Sequence, residues 1–214
     1  RRGDRAVARS AGISAGATVR LVALLRRNVD YALYSAGSAV SLVGMWMQRI
    51  AIGWLTWELT GSGLWLGIIA FADFFPVFLI GPLAAAAADR WDRLQVVKIS
   101  QTISLVQATA LLALTLAGQM TIAWLVALTA FQGVVVAFNQ PARLALVPSL
   151  VAQADLPAAV ALNAVIFNLA RFVGPILAGF AIVTSGVGAA FAANAASYVV
   201  FLLALVRINI SPGA

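Results

Sequence analysis

The chain has 214 residues, of which 63% are hydrophobic and only 10% charged, and its mean hydropathy is +0.98. Soluble domains carry about 25% charged residues, so this chain cannot cover a water-soluble globule and reads as an integral membrane protein. It has no Cys and no His, which excludes disulfides, thiolate nucleophiles, His-ligated metal or haem and any Ser-His-Asp triad.

The net charge of +7 gathers at the N-terminus. Arg1, Arg2, Arg5, Arg9, Arg20, Arg26 and Arg27 all precede the first apolar stretch, a placement that suits an anionic membrane surface better than nucleic acid. No signal-peptide core accompanies them, so 1–28 is expected to be a basic cytoplasmic tail. The chain does not begin with Met, and it is expected to be a fragment.

Six apolar stretches follow, near 31–57, 63–88, 95–117, 121–140, 158–184 and 187–206, each long enough to cross a bilayer as a helix of about 20 residues. Between them lie turn formers and charges: Thr60-Gly61-Ser62-Gly63, Asp89-Arg90-Trp91-Asp92-Arg93, Gly118-Gln119, the segment from Pro141 to Pro157, and Ser185-Gly186. No stretch alternates with a period of two, which argues against a barrel. The expectation is an all-α membrane protein: one six-helix bundle over 29–207, with 208–214 opening a central cytoplasmic loop. The basic residues between spans, Arg90, Arg93, Lys98, Arg143 and Arg207, share the side of the tail, and the opposite loops have only Glu58. The positive-inside rule then places both termini in the cytoplasm.

Three charges lie inside the spans: Arg49, Asp73 and Arg171. Each costs about 2.5–3.5 kcal/mol at a helix centre, so each is expected to be paired, wet or functional. Arg49 falls about 8 residues, roughly 12 Å, from the outer end of span one, and Asp73 about 10 residues, roughly 15 Å, from that of span two. An Arg49–Asp73 pair follows, either static or exchanging protons. Arg171 has no carboxylate at its level. Gly37, Ser41, Gly44 and Gln48 share one face of span one, and Asn168, Arg171, Pro175 and Gly179 one face of span five. The glycines are expected to permit close packing, whereas Gln48, Asn168 and Arg171 are expected to line an aqueous cavity. Gly81-Pro82 and Gly174-Pro175 recur about half the membrane region apart, as a three-plus-three inverted repeat would place them.

Four segments carry a family resemblance: Ser41 to Arg49 with Gly53-Trp54-Leu55 and Glu58 to Ser62; Gly81-Pro82 through Arg93; Phe138 to Arg143 with Leu146-Val147-Pro148; and Leu162-Asn163-Ala164 through Pro175. Together with Asn194 to Tyr198 they resemble the N-terminal half of a major facilitator superfamily transporter, more closely the bacterial branch of enterobactin (siderophore) exporters. The resemblance implies a bacterial inner-membrane protein in which two six-helix bundles rock around a central cavity. Asp89, Arg90 and Arg93 fall on that superfamily's charged motif after helix two, a cytoplasmic latch, although Ala85 and Leu94 depart from it. Gly174, Pro175 and Gly179 resemble the helix-five motif of antiporters, which implies export. Gln132-Gly133 resembles a helix-four motif whose Arg is replaced here by Thr129.

The functional expectation is a secondary transporter, proton-coupled and exporting a small molecule, with Gln48, Arg49, Asp73, Gln132, Asn168 and Arg171 on the substrate and proton pathway. Two embedded cations against one anion favour anionic or amphiphilic cargo. Its expected partners are lipid, substrate, protons and a C-terminal six-helix half, with no cofactor, metal or nucleic acid. The alternatives are a half-transporter that pairs with itself and, well behind it, an intramembrane enzyme or a channel. With no His, no Cys and one deep carboxylate, a catalytic constellation is hard to assemble.

Overall fold

A computed structural model describes residues 24–88 and 91–208, apart from the side chains of Ala85, Ala87 and Ala88. Among them are six long helices: α1 Val29–Thr60, α2 Gly63–Ala88, α3 Arg93–Leu116, α4 Ile122–Leu150, α5 Leu156–Ser185 and α6 Val187–Arg207. Five of these, α2 to α6, are long and apolar enough to cross a membrane by length and composition. The first falls outside that group, because its central turns carry Gln48 and Arg49 among several serines.

The turns follow from local chemistry. Gly61 closes α1 in the left-handed conformation (φ 58°), and its N–H donates to the Trp57 carbonyl, a geometry that only glycine enters freely. The Asp92 carboxylate caps α3 by accepting from the Gln95 N–H at 3.0 Å, and the Thr121 hydroxyl caps α4 from the Trp124 N–H at 3.3 Å. Pro157 lies in the first turn of α5, where its missing donor costs nothing.

Two expectations require correction. The segment from Pro141 to Pro157 is not all loop, since α4 runs on to Leu150 through Pro141 and Pro148. Ala142, Leu146, Val147 and Leu150 are buried together on one face, and this burial outweighs the two lost donors. Two other carbonyls of this stretch accept from side chains: Tyr34 Oη donates to the Arg143 carbonyl at 3.4 Å and Arg93 Nη1 to the Ala145 carbonyl at 3.1 Å. The expected tail, 1–28, is also shorter than drawn where it is described. Residues 24–27 are helical and Leu24 is buried against the bundle.

The bundle is layered along its axis. At the end holding the α2–α3 and α4–α5 turns, Tyr31, Tyr34, Val97, Leu146, Phe201 and Leu205 form one apolar cluster. At the opposite end Ile52, Leu55, Leu111, Leu125 and Phe191 form another. Between them lies a polar layer contributed by α1, α3, α4 and α6. Its side chains bond across helices: Asn194 Nδ2 to Gln48 Oε1 at 2.7 Å, Gln48 Nε2 to Gln107 Oε1 at 3.1 Å, Gln132 Nε2 to Ser104 Oγ at 3.0 Å and Ser41 Oγ to Gln101 Oε1 at 3.3 Å. Buried amides require such partners.

Helices α1 and α6 pack closely, as do α1 and α5, α2 and α4, α3 and α6, and α3 and α4. Helices α2 and α5 are left outermost, with Phe71, Phe74, Phe75, Phe78, Phe172, Ile176, Phe180 and Val183 exposed. Apolar surface of this extent suits hydrocarbon or another membrane helix rather than water.

Candidate functional site

The charged residues embedded in the helices converge. Arg49 Nη2 lies 2.9 Å from Asp73 Oδ2, with the side chains 28% and 17% exposed. The pair expected from helix depth is thus present. Because α1 extends to Thr60, Arg49 stands about 11 residues from the α1–α2 turn and Asp73 about 10, closer in level than the sequence alone suggested.

Trp46, one turn before Arg49, organises the rest of the site. The Arg49 guanidinium carbon lies 5.0 Å from the centre of the indole ring, and that of Arg171 lies 5.7 Å from it. Each contact is within the range of a cation–π interaction, worth about 0.5–2 kcal/mol according to desolvation. Phe74 adds a second face to Arg49 at 5.3 Å, and Phe167 meets Trp46 edge-on at 6.1 Å. Among the described residues Arg171 has no carboxylate within ion-pair distance. The Trp46 indole N–H is buried without an acceptor.

Two close helix approaches fix this geometry. A Cβ at Gly174 would overlap the Trp46 Cβ and lie 3.1 Å from the Val43 carbonyl, so glycine lets α5 bring Arg171 against α1. A Cβ at Gly133 would lie 2.7 Å from the Asp73 carbonyl and 3.2 Å from that of Ala72. Pro76 cannot donate to the Ala72 carbonyl, so α4 meets α2 at a point where the backbone is already interrupted.

The remaining expected site residues lie elsewhere. Gln48 (4% exposed) and Gln132 (8%) are buried in the polar layer and do not line an open cavity, because neighbouring helices fill the space around them. Gln132 Oε1 has no partner there. Asn168 is exposed on α5, but its amide donates to the Ala164 carbonyl of its own helix at 2.8 Å. Pro175 is half-buried. No atom comes within 4 Å of a Cβ built at Gly179 or Gly81, so close packing belongs to Gly37, Gly44, Gly133 and Gly174 and not to these two. Asp89 and Arg90 lie outside the described residues, and Arg93 is exposed.

The sequence reading missed Trp46 as an organiser and Gln101, Ser104 and Gln107 as members of the polar layer. Their signals were present: an aromatic one turn from an embedded Arg, and polar residues at i, i+3 and i+6 on α3. An apolar groove of about 360 Å³ lies between α1, α5 and α6, lined by Val40, Val43, Met47, Val173 and Leu177 among others. It has no charged lining residue, unlike the Arg49–Asp73–Arg171 cluster.

A fold of long apolar helices around embedded charges defines a polytopic membrane protein. Residues 21–212 match the family model of the transmembrane secretion effectors, and the chain belongs to this family of the major facilitator superfamily, whose members are transporters rather than enzymes. It is 25% identical over 171 residues to the staphyloferrin A transporter of Staphylococcus aureus, covering 79% of this chain and 43% of that protein. It is 25% identical over 172 residues to the uncharacterized MFS-type transporter YfiS of Bacillus subtilis, covering 80% and 40%. Macrolide efflux protein A of Streptococcus pyogenes is 27% identical over 144 residues, covering 67% and 35%. The chain therefore spans about two-fifths of the length of the curated relatives it matches. No solved structure matches it.

Proposed function

We propose that the chain is the N-terminal six-helix bundle of a proton-coupled exporter that moves a small molecule across the bacterial inner membrane by alternating access, with both termini cytoplasmic. The observation that carries this reading is the Arg49–Asp73 ion pair, embedded in apolar helices yet partly open. Protonating Asp73 removes the counter-charge of Arg49, so the pair can couple proton uptake to a change in helix packing. Export is supported by the relative named as a macrolide efflux protein.

Six crossings are supported by the length of α1, 32 residues, and by its central place in the bundle, which shields Gln48 and Arg49 from lipid. An inverted three-plus-three repeat is supported by the neighbour relations. Exchanging α1 with α4, α2 with α5 and α3 with α6 maps the α1–α5 contact onto α4–α2 and α1–α6 onto α4–α3. The uncovered apolar faces of α2 and α5 are where a second six-helix half would sit across a substrate cavity. A latch at Asp89, Arg90 and Arg93 and a flexing point at Gly174-Pro175 would close the two sides in turn, with Gly179 leaving room on the face turned to the partner.

The same faces would serve a self-pairing half-transporter. Reading the gene past Ala214 decides between them: six further apolar spans support the fused arrangement, and a stop codon together with crosslinked homodimers overturns it. Coupling is tested by accumulation of macrolides and small organic acids in expressing cells, with and without a protonophore. The Asp73→Asn variant is expected to insert normally and to lose the protonophore-sensitive component. Retention of that component would disprove the coupling assignment.

A further inference from the structure

We propose that Arg171, with the rings of Trp46 and Phe167 beside it, forms a recognition subsite for an organic anion, a carboxylate carried on an apolar or aromatic body. This deepens the transporter reading and depends on it only for the claim that the ligand is cargo.

The cluster is short of acceptors. It gathers two guanidinium groups on one indole, at 5.0 and 5.7 Å, and a buried indole N–H without a partner. Against these donors stands one carboxylate, Asp73, already held by Arg49 at 2.9 Å. An unpaired guanidinium midway along an apolar helix is costly, and an anion supplies the missing charge and acceptor atoms together. Arg171 is the available group. Its side chain is exposed, and it lies 14 residues from the end of α5, about the distance of Trp46 from the end of α1. The surroundings specify the rest of the ligand. Phe167 and Phe172, on the same helix, are exposed at 41% and 71% and offer rings rather than polar groups. A bare inorganic anion would leave these rings uncovered, whereas an apolar body attached to the carboxylate would lie along them.

The test uses the full chain in phosphatidylcholine nanodiscs, titrated calorimetrically with 2-naphthoate and with its neutral counterpart 2-naphthamide. A charge-assisted contact predicts about tenfold or greater preference for the carboxylate. Arg171→Gln should abolish that preference, Arg171→Lys should keep part of it, and Phe167→Ala should weaken both ligands alike. Equal affinity for the two ligands, or a preference that survives Arg171→Gln in protein of unchanged melting temperature, would overturn the proposal. Repeating the titration in phosphatidylglycerol nanodiscs separates two sources of anion. Unchanged naphthoate binding supports cargo, and displacement by the lipid headgroup overturns the cargo assignment. Charge-selective binding by this chain, without gradient-driven flux by the full transporter that its gene encodes, would sink the transporter reading and leave the subsite standing.

Discussion

Arg49 on α1 and Asp73 on α2 form an ion pair at 2.9 Å, each ten or eleven residues from the turn that joins their helices. Removing one partner strands a charge in a poorly solvated place. Replacing both with neutral amides removes the problem along with the attraction. We expect Asp73→Asn or Arg49→Gln alone to cost about 1–3 kcal/mol, and the double variant to be more stable than the sum of the singles predicts, by about 0.5–3 kcal/mol of coupling. Thermal unfolding of the four proteins in one detergent measures this. Strict additivity would mean that the pair is not formed.

The glycines separate into two kinds. At Gly174 a Cβ collides with the Trp46 side chain and approaches the Val43 carbonyl; at Gly179, five residues later on the same helix, nothing lies within 4 Å. Gly174→Ala is expected to destabilise by about 1–3 kcal/mol through overpacking. Gly179→Ala should be neutral or stabilising by up to about 1 kcal/mol through helix propensity. The melting temperature should fall for Gly174→Ala and hold or rise for Gly179→Ala. A fall at Gly179 as large as that at Gly174 would show that a further helix covers this face.

Much of this was legible in the sequence for physical reasons. Gly61, Gly118 and Gly186 punctuate the helices because their turns take a positive φ that glycine enters freely, and the Arg49–Asp73 pair follows from counting helical rise. The continuation of α4 past Pro141 was not legible, since it depends on burial of Ala142 and Leu146 against other helices. Nor was the outward position of α2 and α5. Helix α2 is apolar almost all round, so its sequence holds no directional signal; α5 has a polar face at Asn168 and Arg171, but only the helix contacts determine that this face stays uncovered. The same limit misplaced Gln48. Its helical face was visible, but whether that face meets water or Gln107 and Asn194 depends on α3 and α6.

Asp92 illustrates a role hidden within a charge motif. Its carboxylate caps α3 through the Gln95 N–H, independently of any latch formed by its basic neighbours. Asp92→Ala should cost about 0.5–2 kcal/mol and Asp92→Asn much less, because Asn caps nearly as well. Equal losses in the two variants would point to the charge, not the cap.

The polar layer offers a test of what holds the bundle centre together. Gln48 links Asn194 on α6 to Gln107 on α3. Gln48→Leu therefore leaves two buried amides short of a partner, at about 0.6–2 kcal/mol for hydrogen bonds between membrane helices. Gln48→Glu keeps the acceptor toward Asn194 but introduces a charge at a site that is 4% exposed, and it should be the worse of the two at neutral pH. Lowering the pH should narrow the gap, because the protonated carboxyl regains a donor toward Gln107. Unfolding of both variants at two pH values checks the sign of this effect.

Trp46 combines opposing contributions that a pair of substitutions can separate. Its ring faces both Arg49 and Arg171, while its N–H is buried without an acceptor. Phe retains a weaker aromatic face and eliminates the unsatisfied donor, whose burial costs about 1–3 kcal/mol. Leu eliminates the donor and the face together. Trp46→Phe should therefore melt within about 1 kcal/mol of the parent, and Trp46→Leu should lose about 1–2 kcal/mol more as the two guanidiniums give up their shared ring. If Leu were tolerated as well as Phe, the indole would be filling space rather than holding charge. Arg171 would then owe its position to Gly174 alone, a result that would also remove the aromatic wall from the subsite beside it.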